Sequence, residues 1–85
     1  GSEMCIRDRG DSVYVFRLYP TVQESVEAEI FVPYTEAKIS ELCMVENGET
    51  VAFKEVEGGL CITVPAGYRR GSAPIALVFE MKKER

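Results

Sequence analysis

The chain has 85 residues, 46% hydrophobic and 28% charged, with a net charge of −4 at neutral pH and neither His nor Trp. This is the composition of one small folded domain rather than a disordered segment. No apolar run approaches the ~18 residues of a membrane-spanning helix, and the acidic balance argues against nucleic acid as a partner, since phosphate binding needs a concentrated basic surface.

Gly1-Ser2 resembles the scar of a cleaved expression tag. Met4-Cys5-Ile6-Arg7-Asp8-Arg9 has no period. It is similar to the in-frame translation of a transposase adapter used in preparing DNA sequencing libraries. Residues 1–9 are therefore set outside the fold and Cys5 is given no functional weight; as natural sequence, they would make a disordered arm or a weak edge strand. A single domain is expected over residues 10–85.

The first convincing strand runs from Ser12 to Tyr19, with Tyr14, Phe16 and Leu18 on one face and Val13, Val15 and Arg17 on the other. Apolar residues on both faces point to cover on more than one side, and Pro20 ends the strand. Ser25 to Val32 alternates cleanly: Val26, Ala28, Ile30 and Val32 face inward, Glu27 and Glu29 face water. Pro33 to Glu36 is long enough to cross from one sheet to another.

Residues 37–64 read as a hairpin meander: strands at 37–45, 50–56 and 60–64 joined by turns at Asn47-Gly48 and Gly58-Gly59. Ile39 and Leu42 stand three apart, so one flat register cannot bury both. A β-bulge near Ser40-Glu41 would reconcile them with Met44 also inward; a short helical turn is the alternative. Pro65 has no amide proton for the ladder and closes the third strand. After the Gly-bounded loop 66–72, Pro74 opens a last strand with Ile75, Leu77, Phe79 and Met81 on one face. Six strands at this spacing, with turn residues between, predict an all-β fold, a small antiparallel β-sandwich of about six to eight strands.

The sequence offers little chemistry. Without His there is no Ser-His or Cys-His pair and the commonest metal ligand is missing, so no cofactor or metal is expected. Glu27 and Glu29 share a solvent face with nothing to separate their pKa values. Gly58-Gly59 lacks the helix and Lys-Ser/Thr of a phosphate loop. Cys43 and Cys61 sit two strand spacings apart in the meander, roughly 9.5 Å, too far for a disulfide. The one loop of mixed chemistry is Tyr68-Arg69-Arg70, whose ring and two guanidinium groups suit a sugar or a partner surface. Its plainer reading is a solvated loop with Tyr68 covering the end of the sandwich. Tyr19 and Tyr34, each beside a proline, read as edge packing.

Ser12-Val13-Tyr14-Val15-Phe16, Ala37-Lys38-Ile39-Ser40-Glu41-Leu42, Asn47-Gly48-Glu49, Val51-Ala52-Phe53, Gly59-Leu60-Cys61-Ile62-Thr63-Val64-Pro65 and Ala73-Pro74-Ile75-Ala76-Leu77-Val78-Phe79 follow one another across residues 11–82. This succession resembles the C-terminal β-sandwich of family 29 glycoside hydrolases, the α-L-fucosidases. It departs from that pattern at Cys43-Met44-Val45, where the family often has Leu-Gly, and in its longer 66–72 loop. In that family the catalytic carboxylates lie in a preceding (β/α) barrel, so the resemblance carries no catalytic residue onto this chain. It implies a non-catalytic accessory domain that packs on a barrel and contacts carbohydrate at most through a loop. A stand-alone carbohydrate-binding or immunoglobulin-like interaction module is the alternative.

Overall fold

The computed structural model describes residues 3–19, 26–69 and 75–84. Its strands, in order, are β1 (Glu3–Arg9), β2 (Ser12–Tyr19), β3 (Glu29–Val32), β4 (Ile39–Met44), β5 (Phe53–Val56), β6 (Gly59–Thr63) and β7 (Ile75–Lys83), with one helical turn, α1 (Ala66–Arg69), before the last. They form two antiparallel sheets, one ordered β1-β2-β7-β4 and the other β3-β6-β5. The all-β expectation holds, and the strand count falls inside the expected range.

Between the sheets lies one apolar core. The four-stranded sheet contributes Val13 and Val15 from β2, Leu77, Phe79 and Met81 from β7, and Ile39, Leu42 and Met44 from β4. Facing them are Ile30 and Val32 from β3 and Leu60 and Ile62 from β6, with Val51 and Val64 alongside. No polar or charged residue is buried among the described residues, so burial of apolar area is the main stabilising term here. The register of β4 against β7 shifts between Ile39 and Glu41. That is the bulge demanded by the spacing of Ile39 and Leu42, and both are buried together with Met44.

Four features differ from the sequence reading or refine it. Residues 3–9, set outside the fold, pair with β2 along their whole length through a two-residue turn at Gly10-Asp11. Gly10 adopts φ 65° there, which glycine reaches without strain. Met4 and Ile6 then pack against the core. Second, β2 puts Val13, Val15 and Tyr19 in the core and leaves Tyr14 and Phe16 half-buried on its outer face. Third, the meander keeps both turns while its middle limb changes sheets. After the Asn47-Gly48 turn, Thr50 bridges back to Cys43 and the Val51 amide donates to the Leu42 carbonyl at 2.8 Å. The chain then leaves to pair as β5 with β6 in the other sheet. Cys43 and Cys61 therefore lie on different sheets, and both are free thiols. Fourth, Ala28, expected inward, is exposed although Val26, Ile30 and Val32 are buried.

Crossing between sheets also occurs at Pro33 to Glu36, as expected. The Tyr34 amide donates to the Val32 carbonyl at 2.8 Å in a tight three-residue turn. Tyr34 is buried, and its hydroxyl donates to Asp8 Oδ2 at 3.2 Å. Lys83 Nζ meets Asp8 Oδ1 at 2.6 Å, tying the first strand to the end of the last. The hydrogen bond from Lys83 holds the Asp8 carboxyl below its ordinary 3.8, and the same bond raises Lys83.

Candidate docking surface

Tyr68 is the one member of the expected Tyr68-Arg69-Arg70 site whose side chain is described; the side chain of Arg69 and all of Arg70 lie outside the described residues. Pro65 starts the turn that presents it, its carbonyl accepting the Tyr68 amide at 3.0 Å. The ring is half-buried against the core, and Asn47 Nδ2 donates to its hydroxyl at 3.0 Å. Asn47 is itself positioned by accepting the Glu49 amide at 2.9 Å, an Asx turn that sets the loop around Gly48. Desolvation, followed by the nearby Glu46 carboxylate, pushes the Tyr68 phenol above its ordinary 10.0. Tyr68, Glu46 and Val45 line a groove of about 360 Å³ together with Ala76, Leu77 and Val78.

The larger surface is the outer face of the four-stranded sheet. The β1-β2 and β2-β7 registers align Cys5, Phe16 and Val78 in one row and Arg7, Tyr14 and Glu80 in the next. Val45, whose amide donates to the Val78 carbonyl, extends the first row, and Leu18 lies in the row beside it between Glu3 and Ala76; they are 48% and 37% exposed. A shallow pocket of about 350 Å³ lies over this area, lined by Arg7, Arg9, Tyr14, Phe16, Val45 and Val78. Below it, Ser12 Oγ and Tyr14 Oη donate to Glu80 Oε2 at 2.9 and 3.4 Å, so the carboxylate is already occupied. Cys43 Sγ lies 4.0 Å from the other Glu80 oxygen. Desolvation and the Glu80 charge raise its pKa above 9.0, which keeps the thiol protonated and a poor nucleophile.

Among the described residues no three metal-ligating side chains cluster. A further organised polar group among the described residues is Arg17, Tyr19 and Glu27. Arg17 Nη2 donates to both Glu27 oxygens at 3.1 Å, Tyr19 Oη donates to Glu27 at 2.7 Å, and the guanidinium lies 5.5 Å from the Tyr19 ring centroid. Glu27, expected on a solvent face with nothing to shift its pKa, is bonded by two residues of β2 from its place just before β3, a contact that no local pattern reveals. Arg17 standing on the core-facing side of β2 was the available signal.

Partial desolvation raises the Glu27 pKa, but the Tyr19 and Arg17 hydrogen bonds outweigh it and hold it below its ordinary 4.5. A depressed carboxylate contributes stability above its unfolded-state pKa and loses it as pH falls through the folded value. Urea midpoints compared at about pH 6 and about pH 3 should therefore fall more in the wild type than in Glu27→Gln. Equal falls would show that the cluster contributes nothing to acid stability.

Compared with family models, curated proteins and solved structures, the chain matches none. What the coordinates define is a class: a small all-β domain of two antiparallel sheets with an apolar outer face.

Proposed function

We propose that this chain is a non-catalytic accessory β-sandwich that packs on a catalytic barrel of the α-L-fucosidase-like glycoside hydrolase type. The sequence resemblance supplies the family, and the outer face of the four-stranded sheet supplies the surface. The observation that carries it is the strip of Leu18, Phe16, Val78 and Val45, apolar on a side where water would otherwise favour polar residues. Arg7, Arg9 and Glu80 stand beside that strip, giving the polar rim around an apolar centre that interfaces show.

A second reading, carbohydrate contact by a stand-alone binding or immunoglobulin-like module, is favoured by the Tyr68 groove. A half-buried ring, an amide and a carboxylate around one concave patch suit sugar hydroxyls and sugar C–H faces.

One experiment separates the two. Isotope-labelled chain is titrated first with a family 29 barrel lacking its own C-terminal sandwich, then with L-fucose and fucosylated oligosaccharides. Docking predicts amide perturbations centred on Phe16, Val45 and Val78, and binding weakened at least tenfold by Phe16→Glu in a variant whose melting is unchanged. Sugar binding predicts shifts centred on Tyr68 and Asn47. A well-folded chain that responds to neither sinks both readings.

A further inference from the structure

We propose that two copies of this chain pair antiparallel along the edge of β1 that no described strand covers, joining their four-stranded sheets into one of eight strands. β1 is the terminal strand of its sheet and pairs with β2 without a register break from Glu3 to Arg9. Its other edge carries no proline, lysine or bulge; charged side chains also discourage pairing, but Glu3 and Arg7 are of opposite sign and meet each other across a twofold axis.

The ladder fixes which groups are free. A two-residue turn is closed by a hydrogen-bonded pair, here Arg9 and Ser12, and bonding alternates from there. Glu3, Cys5, Arg7 and Arg9 thus direct their amides and carbonyls to β2, while Met4, Ile6 and Asp8 direct theirs outward. The same alternation, carried across β2 and β7, requires the Val78 carbonyl to face β4 and the Lys83 amide to face Asp11. Both bonds are present, Val45 N to Val78 O at 3.0 Å and Lys83 N to Asp11 O at 2.9 Å.

Side-chain chemistry then selects the register. With the twofold axis at Cys5, Met4 stands opposite the partner's Ile6 in a hydrogen-bonded pair on the core-facing side, prolonging the apolar floor. On the outer face Glu3 stands opposite the partner's Arg7, twice by symmetry, and Cys5 opposite the partner's Cys5. That last pair is non-hydrogen-bonded, with Cα atoms about 4.5 Å apart, inside disulfide range. Moving the axis to Ile6 sets Met4 against the partner's Asp8, a carboxylate already engaged by Lys83 and Tyr34. It also moves the two Cys5 residues onto a diagonal of about 7–8 Å. Moving it to Arg7 puts like charges face to face.

An edge contact alone buries less than the ~1,200 Å² of stable interfaces, so the pairing is weak and depends on concentration. In Cys43→Ser/Cys61→Ser, which leaves Cys5 as the sole thiol, diamide should give a covalent dimer. It takes up the two thiol hydrogens and their two electrons as the S–S bond forms, and is itself reduced to the hydrazine. Sedimentation without oxidant should show dimer rising with concentration. Ile6→Pro removes an outward amide while leaving every β1-β2 bond in place, so it should lower dimer yield at least tenfold; because Ile6 also packs on the core, yields are compared well below the variant's own melting temperature. Glu3→Arg should lower the yield too, and adding Arg7→Glu should restore it. A chain that stays monomeric as concentration rises, or cross-links equally well with Ile6→Pro, overturns the proposal.

Discussion

Gly59→Ala is expected to destabilise the domain by about 2–3 kcal/mol, an overpacking cost, and to lower its melting temperature by ~10–20 °C. The reason is space rather than dihedral freedom. Gly59 opens β6 beside the point where the chain leaves β3. A Cβ built there falls inside the contact distance of the Val32 carbonyl oxygen and 3.0 Å from Pro33 Cα. Neither group has room to yield: the Val32 carbonyl is held by the Tyr34 amide, and Pro33 has a fixed φ. Moving them would disturb Val32 and Tyr34, both buried.

Gly58 makes the control. It does adopt positive φ, 84°, but an added Cβ meets only the Phe31 ring at 3.8 Å. Alanine there should cost about 1–2 kcal/mol, the ordinary left-handed penalty. Urea denaturation of both variants checks the ranking, and a Gly59→Ala protein as stable as wild type, or more stable than Gly58→Ala, would refute the close-approach argument.

That pair of glycines also marks how far the sequence can be read. Two adjacent glycines announce a turn, but not which of them needs the unusual dihedral and which needs the missing side chain. The turn proves to be Glu57-Gly58, with Gly59 already in the strand. Where a period exists, the reading was good: β7 buries Leu77, Phe79 and Met81 as the alternation required, and the spacing of Ile39 and Leu42 forced a bulge that is present. Where both faces are apolar, as in β2, alternation does not say which is inside. Which sheet the middle limb of the meander joins was illegible, because the Asn47-Gly48 turn sets a reversal of direction and the choice of partner depends on the core beyond it. The Glu27 cluster and the extension of the outer apolar face from Phe16 to Val78 were illegible for a similar reason. Each is assembled by pairing between distant segments, Arg17 with Glu27 and Phe16 with Val78, and tertiary register is their only source.

Phe79→Ala tests whether the two faces of the four-stranded sheet differ in kind, as inner core and outer docking strip must. β7 is a central strand, and Phe79 is fully buried between Val15 on β2 and Met44 on β4. Truncation removes the ring and leaves a cavity that these neighbours fill only in part, at a cost of about 3–5 kcal/mol. Domains of this size have total stabilities near the low end of ~5–15 kcal/mol, so the variant should melt cooperatively only well below the wild type, or not at all. Phe79→Leu, which keeps most of the volume, supplies a measurable midpoint in either case, at ~1–1.5 kcal/mol below wild type. Phe31→Ala, on the outer face of the other sheet and 50% exposed, should cost under ~1 kcal/mol. If Phe79→Ala and Phe31→Ala shift the urea midpoint equally, the sheets do not enclose the core described here, and the outer strip loses its claim to be a surface left over for a partner.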